Sequence, residues 1–233
     1  MGELHAMWLA GLTGIISGLL LSIPIGPVNL TIINEGARRG FRWAALIGLG
    51  ASVMEVIYCT LAFTGFSSFF GNRYLNAGME VFSFVFILYL GVKFLLASSV
   101  TAPTHLLPAG SQLEERIEER IQQRLHPHSA FMTGFVRTLA NPGVLVFWII
   151  LAANFMSRGW VKPDYPAKLA CVSGVALGTG AWFLALSWAV SLGHRNFTER
   201  TLLRIEHLSG VGLLILALAH GGHIALKLAQ HKL

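Results

Sequence analysis

Apolar runs about as long as a bilayer is thick dominate these 233 residues. They cover Met7–Ile33, Trp43–Phe66, Gly78–Leu96, Ala130–Phe155, Ala167–Leu192 and Leu202–Leu226. A membrane-spanning helix needs about 20 such residues, so the chain has room for about six spans and short loops. Lipid offers no partner to a free backbone N–H or C=O, and the runs are therefore predicted to be helices. Composition agrees, with 54% hydrophobic and 12% charged residues against about 25% charged in ordinary soluble domains. No soluble domain is left over. The first run could be mistaken for a signal peptide. It opens with Glu3 and His5 instead of a basic segment and continues past the usual apolar length, so it reads as a retained span.

The charges lie in the connections. Arg38, Arg39 and Arg42 follow the first run, Arg116, Arg120 and Arg124 the third, and Arg195, Arg200 and Arg204 the fifth. The opposite side carries Arg73, then Arg158, Lys162 and Lys168. The positive-inside rule places the first set in the cytoplasm of a bacterial inner-membrane protein, with both termini outside. A net charge of +6 distributed in this way speaks for topology and against a nucleic-acid partner. The domain reading is a first three-helix repeat over residues 1–100, a cytoplasmic linker over 101–128 and a second three-helix repeat over 129–233. Within the linker, Ser111-Gln112-Leu113-Glu114 has the form of a capping box. The helix it opens carries Leu113, Ile117, Ile121 and Leu125 as a stripe beside the arginines. That helix suits either the inner leaflet surface or a solvated connection.

Two of the runs are interrupted. The first contains Ser22-Ile23-Pro24-Ile25-Gly26-Pro27-Val28-Asn29 near its middle, and the fourth contains Ala140-Asn141-Pro142-Gly143. Proline removes a backbone donor and clashes with the preceding turn. Broken backbone at membrane depth persists where protein or a watery cavity covers it. Runs one and four open the two halves of a three-plus-three arrangement, whose halves must then be inverted. Paired interruptions at matching positions are the best sequence pointer to a transporter's binding site. The half-helix beginning near Pro27 would aim free N–H groups at a carboxylate, and an asparagine amide both donates and accepts. The expected architecture is all-α, with six transmembrane helices in two inverted three-helix repeats and helices 1 and 4 broken.

Glu55 is the acid set deepest in an apolar run, a position where function is the default hypothesis. It could bind an amino group or exchange a proton. Cys59 and Cys171 show no paired metal or redox spacing. His220 and His223 could share a helix face, but without an acid or cysteine nearby they read as interfacial. Trp182 and Trp188 read as packing or lipid-facing residues, and the glycines of runs two, three, five and six as packing points. No nucleophile–base pair is visible, and no enzyme activity, cofactor or metal is expected.

Taken together, Pro24-Ile25-Gly26-Pro27-Val28-Asn29, the short basic loop, the glycine-rich second run with its acid, Asn141-Pro142, and Leu208-Ser209-Gly210 resemble the LysE/RhtB amino-acid efflux family over nearly the whole chain. The resemblance implies proton-motive-force-driven export of an amino acid or a derivative by alternating access. It also implies a substrate site at Pro24, Gly26, Pro27, Asn29, Glu55, Asn141 and Pro142, to which position 143 adds a departure. Many members carry a basic residue there, and this chain has Gly143. The partners implied are a small-molecule substrate and the lipid bilayer, with room for a homodimer. A divalent-cation exporter and a membrane thiol-redox protein are the competing readings.

Overall fold

A computed structural model of the chain describes residues 2–24, 26–65, 73–96, 129–193 and 199–229. The residues of the expected linker helix, 101–128, lie outside these. The described residues form α1 (Gly2–Ser22), α2 (Pro27–Arg39), α3 (Phe41–Gly65), α4 (Arg73–Leu95), α5 (Ala130–Leu139), α6 (Pro142–Ser157), α7 (Tyr165–Gly193) and α8 (Glu199–Ala229). All regular structure among them is helical. Large apolar side chains such as Leu12, Ile16, Leu49, Val53, Leu177 and Leu184 point outward. A surface of that kind needs lipid around it.

Three helices are long and apolar enough to cross a membrane, namely α1, α3 and α7, and α5 with α6 makes a fourth if the bent pair is one span. The helix order follows the six runs, yet six spans are not established by length and composition alone. Among the described residues of α4, the stretch that stands out as an apolar helix is Phe84–Leu95.

Both interruptions are real breaks, placed differently from the expectation for the first. That break does not halve its run. It follows the 21 residues of α1 and precedes the 13 of α2. At 1.5 Å per residue, α1 alone approaches the roughly 30 Å of a hydrocarbon core. The second break lies between 10 residues and 16 residues, and the two parts are bent by 66°. Each second part begins with proline at its first helical position, Pro27 or Pro142. There the missing N–H is one that the helix would leave unpaired anyway.

Glycines set how the helices approach. A side chain at Gly14 would collide with the Cys171 carbonyl, and one at Gly174 or Gly178 with the carbonyls of Gly11 or Ile15. This spacing locks α1 against α7, the most extensive helix pair in the fold. Gly50 and Gly134 do the same for α3 and α5, each lying against a backbone carbonyl of the other helix, Phe131 and Ile47. Without a hydrophobic drive between helices in lipid, such close van der Waals contact is a main source of association. A buried hydrogen bond of 2.6 Å between Ser52 and Thr179 adds a polar link from α3 to α7. The helix pairs α1–α7, α3–α5 and α4–α8 each join one half of the chain to the other.

Candidate functional site

Where a helix breaks, its last carbonyls and first amides lose their partners, and the two breaks meet this in different ways. At the first, Asn29 folds back from α2. Its amide nitrogen donates to the carbonyls of Ser22 at 2.8 Å and Pro24 at 2.7 Å. Its oxygen accepts from the indole of Trp182 on α7 at 3.2 Å. The side chain is buried, with both polar atoms engaged. At the second break, the residue that caps the departing helix comes from elsewhere. Tyr58 on α3 donates to the Leu139 carbonyl at 2.8 Å. Asn141 itself makes no side-chain capping bond, and its buried oxygen has no hydrogen-bond partner.

The two breaks come together around α3. A cavity of about 130 Å³ is lined by Leu21, Pro24, Gly26, Pro27, Glu55, Asn141 and Val144, closed by Leu90, Phe94, Phe147 and Leu213. A smaller one of about 100 Å³ shares those first seven residues and adds Asn29, Arg137 and Thr138 to its wall. One water needs roughly 10–15 Å³ of such space, so the pair can hold a small polar solute. Glu55 accepts a hydrogen bond from the indole of fully buried Trp148 on α6. That contact ties the acid of the second run to the helix that follows the second break.

Of the residues expected at the site, Pro24, Gly26, Pro27, Glu55 and Asn141 line both cavities, and Asn29 lines the smaller one. Pro142 and Gly143 do not reach either wall. Trp182, read as packing, instead holds the Asn29 oxygen, whereas Trp188 is exposed on the outer surface as expected of a lipid-facing residue. Sequence reasoning missed Arg137, Trp148 and Tyr58. Arg137 did carry a signal, because a charge inside the fourth apolar run is as unusual as Glu55 in the second. Nothing in the sequence pairs Tyr58 with Leu139 or Trp148 with Glu55. The buried thiols Cys59 and Cys171 are free and line neither cavity. No group of three His, Cys, Asp or Glu side chains among the described residues could hold a metal, and the side chains of His220 and His223 are not among those described.

A third cavity, of about 380 Å³, adjoins the first. It lies among α1, α4, α6 and α8 and shares Leu21, Phe147 and Leu213 with the polar space. Its far end is marked by Arg158, whose guanidinium lies 4.7 Å over the Trp160 ring.

The chain matches a family model described as LysE type translocator over residues 19–221. It is 25% identical to a Bacillus subtilis protein named "Putative amino acid efflux protein YcgF", over 90% of this chain and 94% of that one. It is 24% identical to a Pseudomonas aeruginosa protein named "Chemotactic transduction protein ChpE", over 89% and 94% of the two chains. No solved structure matches it.

Proposed function

This chain belongs to the LysE type translocator family, a family of membrane transporters and not of enzymes, and from that membership we propose that it is a secondary exporter of amino acids or their derivatives. One observation carries the reading. Residues of both helix breaks line the same small cavity as the intramembrane acid Glu55. The half-helix N-terminus at Pro27 favours a carboxylate, and Glu55 suits an ammonium group or a coupling proton. In this reading the chain sits in the bacterial inner membrane as six spans in two inverted three-helix repeats. The helix pairs that cross between the halves support that arrangement.

Alternating access requires a barrier that can open. Leu21, Phe147 and Leu213 divide the polar cavity from the larger apolar one, and they are the side chains whose movement would join the two spaces. By the charge pattern of the loops, Arg158 and Trp160 then face outside and the large cavity is the exit. Reporter fusions after Ser111 and at the C-terminus should read cytoplasmic and external. The same side for both would end the inverted-repeat reading.

A cation exporter would need several converging ligands, and Arg137 in the wall adds repulsion for a metal ion. A thiol-redox mechanism would need cysteines at the cavity, where Cys59 and Cys171 are not. The deciding experiment loads proteoliposomes with a mixture of the twenty L-amino acids and follows each with and without an imposed proton gradient. Gradient-dependent loss of one or a few is expected. Retention of all of them, in vesicles shown to hold oriented folded protein, would overturn the reading.

A further inference from the structure

We propose that Arg137 is the carboxylate anchor of this site and, with Glu55, sets the pair of charges a solute must carry. The inference rests on the exporter reading and deepens it. Arg137 stands in the last turn of α5 and lines the cavity of about 100 Å³ together with Asn29, Glu55 and Asn141. No hydrogen bond or ion pair holds it among the described residues, where the ion pairs join Glu35 to Arg38 and Arg39 near the end of α2. One small cavity thus holds a guanidinium and a carboxylate that do not meet within salt-bridge distance.

Opposite charges at membrane depth ordinarily pair with each other, because an uncompensated one is costly. Held apart across a polar space, each lacks a counter-charge that a ligand can supply. An α-amino acid carries both required groups close together, its carboxylate for Arg137 and its ammonium for Glu55. Guanidinium presents a rigid fork that matches a carboxylate with two parallel hydrogen bonds. The Asn141 oxygen, buried and unpartnered, is an acceptor that a carboxylate cannot use and an ammonium can. That places the ammonium toward Glu55 and Asn141 and the carboxylate toward Arg137. A structural role is the competing explanation, since a cation near the C-terminal end of α5 also complements its helix dipole.

The test separates these. Full-length protein is reconstituted into liposomes, and counterflow is measured for the twenty L-amino acids and for their α-amides, which keep the ammonium and lack the carboxylate. Wild type is expected to move at least one acid and to favour it over its amide by tenfold or more. Arg137→Gln should raise the half-saturation concentration for that acid roughly 10–100-fold, with maximal rate and amide transport nearly unchanged, so that the preference collapses. Arg137→Lys, which keeps charge without the fork, should fall between. It becomes the deciding variant if Arg137→Gln does not reconstitute. A folded Arg137→Gln protein with wild-type acid-over-amide preference, or Arg137→Lys with an unchanged half-saturation concentration in that fallback, overturns the proposal and leaves the exporter reading standing. A wild type that moves none of the acids removes both.

Discussion

The two helix breaks use the same ingredients, an asparagine, a proline and a glycine, for different ends. At the first, Asn29 is consumed by its own surroundings, with three hydrogen bonds to Ser22, Pro24 and Trp182. At the second, Tyr58 reaches in from α3 to cap Leu139, and the Asn141 oxygen is left buried without a hydrogen-bond partner beside the cavity that the residue lines. At the first break the asparagine's hydrogen-bonding capacity is used within the protein. The second is supported from outside and leaves a polar atom without a partner. Similar motifs in two halves of a chain therefore need not do similar work. Which asparagine can face a ligand depends on whether a neighbouring helix has already relieved it of capping duty.

The largest expected effect bears on the cavity beside the second break. Glu55→Gln keeps the shape and the contact with Trp148 but cannot carry a charge or exchange a proton. Export should be almost abolished with normal membrane yield, and whatever rate remains should lose its pH dependence. Wild-type rates with an unaltered pH profile, measured in the same vesicles, would remove Glu55 from the mechanism.

The next pair of variants addresses the comparison directly. Asn29→Ala leaves two carbonyls and an indole N–H without partners, each unsatisfied buried group costing about 1–3 kcal/mol. It should lower the yield and thermal stability of detergent-solubilised protein. Asn141→Ala removes an oxygen that has no partner in the protein, so stability should hardly move. Its loss should appear instead as a weaker apparent affinity by about one to two decades, the worth of a hydrogen bond to a charged group. If the two variants exchange these outcomes, the assignment of a satisfied and an unsatisfied asparagine is wrong.

Smaller effects sharpen the picture. Phe147→Ala thins the barrier between the polar and the large cavity, and should raise uncoupled leak of solute several-fold while coupled export falls modestly. An unchanged leak would place the barrier elsewhere. Tyr58→Phe deletes the cap on Leu139. Hydrogen bonds between membrane helices average about 0.6 kcal/mol and reach ~1.7 kcal/mol, so a drop of only a few degrees in melting temperature is expected.

Much of this was legible beforehand because it is local. Apolar runs of bilayer length dictate helices, and Pro24, Pro27 and Pro142 dictate where helices stop, since a missing N–H and a ring clash act within one turn. Glu55 stood out because a carboxylate is rare in an apolar run. Arg137 offered the same signal in the fourth run. What only the tertiary structure decided is which groups satisfy one another. The capping of Leu139 by Tyr58, the contact of Trp148 with Glu55 and the hold of Trp182 on Asn29 join residues 81, 93 and 153 positions apart. Backbone groups freed at a break must find partners somewhere in a medium that supplies none. Any helix brought close by glycine contacts can provide them, and that choice is made by packing between helices, not by the residues adjacent to the break.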